Sequence, residues 1–210
     1  MLLLAFDTAT PAISAALHDG DRVIAAARHE GSMAHGEQLM PTVTEVLAAA
    51  GAAIGDVTDI AVGVGPGPFT GLRVGVVTAL TLAHSLNAVT HGVCSLDPIA
   101  FATTGASGDF IVATDARRHE VYWARYGADG VRIAGPHVDL PDVVANLGLP
   151  VVGRGGAVYG LDTHGLSAPI DPHADDLATL VASGRAVTLP LEPLYLRRPD
   201  AKPLATVPTL

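Results

Sequence analysis

Two aspartates come first among the residues whose type and spacing could do chemistry. Asp7 closes an apolar run at residues 2–6, and Asp115 closes another at residues 110–114. A carboxylate at the end of a buried strand, one in each half of a chain, is where phosphotransfer folds hold a metal-bridged nucleotide. The same residue type also caps its own turn by accepting hydrogen bonds from nearby backbone amides. Spacing alone leaves both readings standing.

Residues 63–75 read Gly-Val-Gly-Pro-Gly-Pro-Phe-Thr-Gly-Leu-Arg-Val-Gly, between an apolar strand pattern and a long helical one. A strand, a glycine-rich turn and a helix can cradle phosphate, because amides at a helix N-terminus attract anions. Here Pro66 and Pro68 each remove a backbone donor, and no Lys-Ser or Lys-Thr pair follows as in a P-loop. Gly65, Pro66, Gly67, Phe69, Thr70, Gly71 and Arg73 therefore read as a loop of fixed shape. Gly153-Arg154-Gly155-Gly156, after another short strand pattern, is either a close approach to a nucleobase or a plain turn.

The histidines supply no metal pair. His35 opens a helical pattern, but the position one turn on is Leu39, where a helical zinc site needs a second histidine. Cys94 is the sole cysteine, which excludes a thiolate cluster and an internal disulfide framework. No Gly-x-Ser-x-Gly segment is present to mark a hydrolase nucleophile.

The elements that must position these residues form a weak repeat. Residues 2–6, 12–17 and 22–28 read as three strands, with an Asp19-Gly20 turn between the last two. Residues 110–114, 121–126 and 131–134 repeat the pattern around Asp129-Gly130. Two aspartate-headed meanders predict a duplicated α/β domain whose halves meet at Asp7 and Asp115. Between the copies lie helices at 35–50, with Pro41 in an early turn, and 70–87. The second is apolar over about half its circumference and carries Gly71, Gly75, Ala79 and Ala83 four residues apart. Such a ridge lets another backbone approach closely. Its occupant is either this chain's own sheet or a partner helix. Shorter helices are expected at 140–147 and 177–183, a strand at 150–152 and an extended segment at 192–198.

Composition narrows the function classes. Of 210 residues, 49% are hydrophobic and 16% charged, which points away from disorder and toward apolar surface covered by a partner. A net charge of −9 without a basic run argues against gripping a nucleic-acid backbone. The first six residues lack a basic flank and are far too few to span a bilayer, so a soluble cytoplasmic protein is expected.

Four segments together carry a resemblance: Phe6-Asp-Thr-Ala-Thr10, Gly65-Pro-Gly-Pro-Phe-Thr-Gly-Leu-Arg-Val-Gly75, Asp115-Ala-Arg-Arg-His-Glu-Val-Tyr122 and Pro193-Leu-Tyr-Leu-Arg197. Across residues 1–198 the chain closely resembles the bacterial TsaB (YeaZ) family. That family is the dimerisation subunit of the machinery that installs N6-threonylcarbamoyl on adenosine 37 of tRNAs reading codons that begin with A. The resemblance implies an actin-like ATPase (ASKHA) fold. Residues 1–105 would form a first lobe with partner-binding helices, 106–198 a shortened second lobe and 199–210 a flexible tail.

The catalytic relative TsaD carries a His-x-x-x-His metal site on the equivalent helix, and Leu39 breaks that pattern here. The implied role is a non-catalytic subunit, without cofactor or metal, that binds a TsaD-like chain and, with a TsaE-like ATPase, forms the active assembly. Leu39, Val43, Leu47, Gly71, Gly75, Val76, Ala79 and Ala83 are the expected interface, toward TsaD or a second copy. Asp7, Asp115, Gly155 and Gly156 are the candidates for a vestigial nucleotide site. Transfer RNA would be met only within the complex, through Arg117, Arg118, Arg197 or Arg198. The alternative is an ASKHA-type phosphotransfer enzyme using Asp7 and Asp115 around Mg-ATP.

Overall fold

A computed structural model describes residues 1–30 and 35–197. Arg198 and the expected tail at 199–210 lie outside the described residues. The repeat takes the form of two β-β-β-α-β-α units. The first comprises β1 (Leu3–Asp7), β2 (Ala12–His18), β3 (Val23–Glu30), α1 (His35–Ala50), β4 (Asp59–Gly65) and α2 (Phe69–Leu86). It is extended by β5 (Val89–Cys94) and α3 (Asp97–Ala102). The second comprises β6 (Phe110–Asp115), β7 (Val121–Tyr126), β8 (Arg132–Asp139), α4 (Pro141–Ala145), β9 (Val151–Val152) and α5 (Arg154–Tyr159), and α6 (Ala174–Ala182) follows.

The sheets have the orders β3-β2-β1-β4-β5 and β8-β7-β6-β9. In each, a three-stranded antiparallel meander gains a parallel neighbour through β1–β4 or β6–β9. Among the described residues the second sheet has no counterpart of β5, and its fourth strand has only two residues. This is the duplicated α/β architecture of the actin-like ATPase class with its second lobe cut short.

The side-chain alternation of β1 explains the layering. Leu4 and Phe6 join Val43, Val46, Val76 and Ala79 beneath α1 and α2, whereas Leu3 and Ala5 join Leu177 and Ala178 of α6 on the opposite face. A strand buried on both faces must be apolar at every position, as β1 is up to Asp7. Because α6 covers the first sheet, the expected division at 105/106 is corrected for the chain's later part. The segment after α6 also returns to the first lobe, where the Leu194 amide donates to the Val64 carbonyl at 2.8 Å.

A second correction concerns the helices. Leu39, Val43, Leu47, Gly71, Gly75, Val76, Ala79 and Ala83, expected to meet a partner, are all buried within the chain. The glycine ridge serves the turn between β1 and β2. A Cβ at Gly71 would stand 2.3 Å from the Thr8 carbonyl oxygen, and one at Gly75 would stand 2.5 Å from Thr8 Oγ1. Thr8 Oγ1 in turn donates to the Gly71 carbonyl at 2.8 Å. The close approach is therefore intramolecular. Although α2 is long and apolar enough to cross a membrane, this side of it packs on β4.

Candidate functional site

Asp7 sits where β1 ends, at the edge of the groove between the lobes, and it is almost completely buried. Its Oδ1 accepts from the Ala9 amide at 2.7 Å, and its Oδ2 accepts from Ser95 Oγ at 2.6 Å. Ser95 Oγ also accepts from the Gly65 amide at 3.1 Å, so one hydroxyl links the strand end to the glycine-rich loop. Burial pushes the Asp7 carboxyl up to about 7, against the lowering effect of its two donors and with a further push from Asp171. Asp115 repeats the turn geometry in the second lobe. Its Oδ1 accepts from the Arg117 amide at 3.0 Å and from the Tyr159 hydroxyl at 3.1 Å. Both aspartates thus brace the turn two residues on, and the acid acting electrostatically on Asp7 is Asp171.

Asp171 was not legible in the sequence. It is fully buried and holds Arg154 Nε at 2.7 Å and Arg28 Nη2 at 3.1 Å. Arg28 lies on β3 and Arg154 opens α5, so one carboxylate joins the lobes across the groove. No local pattern announces it, because its partner Arg28 is 143 positions away. Gly155 and Gly156 do not open toward a ligand either. A Cβ on Gly155 would lie 3.0 Å from Ala113, and one on Gly156 would lie 2.9 Å from the Val151 carbonyl oxygen. Their small size lets α5 pack on β6 and β9.

The glycine-rich loop holds the C-terminal segment. Phe69 stacks on Tyr195 with ring centroids 4.9 Å apart, and the Arg73 guanidinium lies 3.7 Å above the Phe69 ring. Arg73 Nε donates to the Tyr195 hydroxyl at 3.0 Å. Gly67 allows the loop to lie on the β1–β2 turn, since its Cβ would stand 2.4 Å from the Ala9 carbonyl oxygen. Two of the motifs singled out in the sequence are thus in direct contact.

His35 donates from Nε2 to the Thr10 carbonyl at 2.8 Å and so braces the same turn. His173, Asp175 and Asp176 form a group of metal-ligand type at the start of α6. It suits a cation poorly, because Arg28 stands against His173 and the positive end of α6 lies at the same place. Cys94 is buried, which pushes its thiol far up and keeps it from acting as a nucleophile.

Around this groove the second lobe presents an unusual turn. Arg117, Arg118 and His119 have φ of 61°, 53° and 63°, three consecutive left-handed residues without a glycine. The turn is held by Arg197, whose Nη1 donates to the Ala116 carbonyl at 2.7 Å and whose Nη2 pairs with Glu120 at 2.8 Å. Arg117 and Arg197, expected to meet tRNA, thus lie at one turn.

On the outer side of α2, Thr70, Arg73, Val77, Leu80, Thr81 and His84 form an exposed stripe. Val77 is 58% and Leu80 48% exposed, and Met40 of α1 is also open to solvent. This is the apolar surface left on the two helices once their inner faces are covered.

The comparisons agree with this architecture. A family model described as TsaD: tRNA N6-adenosine threonylcarbamoyltransferase matches residues 28–187. An uncharacterized protein of Mycobacterium leprae is 47% identical over 97% of this chain and 56% of its own length. The Escherichia coli tRNA threonylcarbamoyladenosine biosynthesis protein TsaB is 37% identical over 61% of this chain and 56% of its own length. The chain therefore spans a little over half the length of each of these two relatives. The solved structure of YeaZ from Pseudomonas aeruginosa aligns with a TM-score of 0.72 and 30% identity, over 93% of this chain and 99% of that one. With its Gly65–Gly75 loop, paired turn aspartates and two-lobed sheet order, this chain belongs to the TsaB (YeaZ) family.

Proposed function

We propose that this chain takes part in forming N6-threonylcarbamoyladenosine in tRNA as a non-catalytic, cytoplasmic subunit. In this reading it binds a TsaD-like threonylcarbamoyltransferase through the outer faces of α1 and α2, and a TsaE-like ATPase joins the assembly. The isolated chain uses the same faces to pair with a second copy. Transfer RNA is met only in the assembly, beside Arg117 and Arg197.

The observation that carries the reading is the outward stripe of α2, with Val77 and Leu80 exposed above a face fully occupied by the chain's own sheet. Apolar side chains grouped on one helix face lower the free energy of association at roughly 25 cal/mol per Å² removed from water. The interface first expected on the inner residues moves one face outward on the same helices.

The phosphotransfer alternative is weighed down by Asp7. A metal-holding carboxylate must present an ionised oxygen to the metal, whereas Asp7 is almost completely buried and burial pushes its carboxyl up to about 7. The test is sedimentation of the chain with a TsaD-like partner, together with a steady-state ATPase assay of the chain alone. Association that Val77→Glu weakens by at least about tenfold, equivalent to about 1.4 kcal/mol, supports the reading. Unchanged association in folded outer-face variants, or ATP turnover abolished by Asp7→Ala, overturns it.

A further inference from the structure

A cavity of about 200 Å³ lies between the turn that joins β7 to β8, the start of α3 and the end of α6. Asp97 of α3, Arg132 of β8 and Leu180 of α6 line it, with Val131 just before β8 and Arg185 and Val187 just after α6. It contains neither Asp7 nor Asp115, and no residue of the α2 stripe. We infer that this cavity is a binding site for a small carboxylate that carries a short branched apolar group.

The charges around the cavity do not cancel. Asp97 is buried, and its Oδ1 accepts from the Tyr126 hydroxyl at 2.8 Å. Arg132 Nε stands 3.1 Å from the same oxygen, and its Nη2 donates to Oδ2 at 3.4 Å. Asp97 therefore offsets the charge of Arg132. Arg185 has no such acid. Its Nη2 donates to the Asp129 carbonyl at 2.8 Å, while the Asp129 carboxylate accepts from the Val131 amide at 3.0 Å. Among the described residues no carboxylate forms an ion pair with Arg185. Its guanidinium also lies 5.1 Å from the centroid of the Phe101 ring, so a backbone carbonyl and an aromatic face hold it in place.

The remaining walls are apolar. Val131 and Val187 are each 53% exposed and line the cavity together with buried Leu180. Covering such surface lowers the free energy by roughly 25 cal/mol per Å². The planar fork of a guanidinium matches a carboxylate, which it can hold by two parallel hydrogen bonds. One uncancelled positive charge suits a monoanion, whereas a phosphate dianion would exceed that charge and meet Asp97 as well. The cavity is smaller than the roughly 300 Å³ at which sites for drug-sized ligands begin, so the apolar part of the ligand is short.

The site rests on the chain alone and not on the partner role, so the two are tested separately. The full chain is titrated with isovalerate, with its neutral isostere isovaleramide and with N-acetylleucine at matched ionic strength, while the amide resonances of Val131, Arg185 and Val187 are followed. The expected result is a saturable shift with isovalerate in the millimolar range, and a response to isovaleramide at least about tenfold weaker. Binding of N-acetylleucine as well assigns the C-terminal residue of a peptide as the ligand, and its exclusion assigns a free acid. Arg185→Gln removes an exposed charge and keeps a donor for the Asp129 carbonyl, whereas Val187→Asp sets a like charge beside the ligand. Each should stay folded by circular dichroism and bind isovalerate about tenfold more weakly. The comparison with isovaleramide needs only the wild-type chain and decides the matter whatever the variants do to folding. No saturable shift with isovalerate, an equal response to isovaleramide, or unchanged affinity in either folded variant overturns the inference. None of these outcomes bears on association with a TsaD-like chain, which sedimentation measures.

Discussion

Asp7 fills the space that a side chain on Gly63 would need: a Cβ there would lie 1.6 Å from Asp7 Oδ2 and 2.5 Å from Ser95 Oγ. The glycine of β4 is therefore the complement of the carboxylate on β1. Parallel pairing of the two strands brings them together, in register from Leu3 with Asp59 to Phe6 with Val62. A group so enclosed responds to protons rather than to solvent ligands.

Asp7 should make folding stability depend on pH. Its carboxyl is raised from 3.8 to about 7 by burial, so the folded state holds a proton that the unfolded chain has lost. The stabilisation is complete below about pH 4 and disappears as pH rises through about 7. A shift of that size is worth at most about 4 kcal/mol. Half-buried Asp176 adds a slope of the same sign that ends near pH 6. His173, lowered by burial and Arg28, gives the opposite sign. The difference between wild type and Asp7→Asn isolates Asp7. Urea unfolding at about pH 5.5 and pH 8 should show wild type losing stability relative to the variant. A constant difference would refute the protonated carboxyl.

Two helical glycines, one on the α2 ridge and one in α1, should respond oppositely to alanine. Gly71→Ala drives a methyl group into the Thr8 carbonyl and should cost about 2–3 kcal/mol. Gly36→Ala in α1 meets only Val74 Cγ2 at 3.9 Å and should gain about 0.5 kcal/mol. Chemical denaturation of both variants checks the pair.

Glutamate on the two sides of α2 should separate folding from association. Ala79→Glu buries a charge against β4 and should cost more than about 4 kcal/mol. Val77→Glu and Leu80→Glu face solvent and should change stability by less than about 0.5 kcal/mol. Circular dichroism melting curves distinguish the two classes, and the folded variants are the ones suited to the partner assay.

Asp171→Asn should loosen the junction between the lobes. It removes the negative charge and one of the two acceptor oxygens from between two arginines that are only about one-third exposed, at a cost of about 2–3 kcal/mol, less than for a fully buried pair because water reaches both guanidinium groups. Arg28→Ala and Arg154→Ala should combine non-additively, since both act on one carboxylate. Additive losses in a double-mutant cycle would contradict the shared role.

The sequence alone marked most of the local elements and their duplication, but not β5, α3 or α5. The period of apolar residues marks α1 over residues 35–50 and α2 to within about one residue at each end. The Asp-Gly pairs mark the hairpins, and strand-end position singles out Asp7 and Asp115, whose bracing of their turns the tertiary structure shows. Tertiary structure decided what these patterns face. Apolar over half its circumference, α2 carries no local signal for which side meets the sheet; the fit of Thr8 against Gly71 and Gly75 turns that side inward and leaves Val77 and Leu80 outside. The return of α6 to the first sheet and the clasp of Asp171 by Arg28 and Arg154 were equally silent. The packing of α6 and the Arg28–Asp171 contact bring side chains together across more than a hundred residues, and periodicity within one segment holds no information about such meetings.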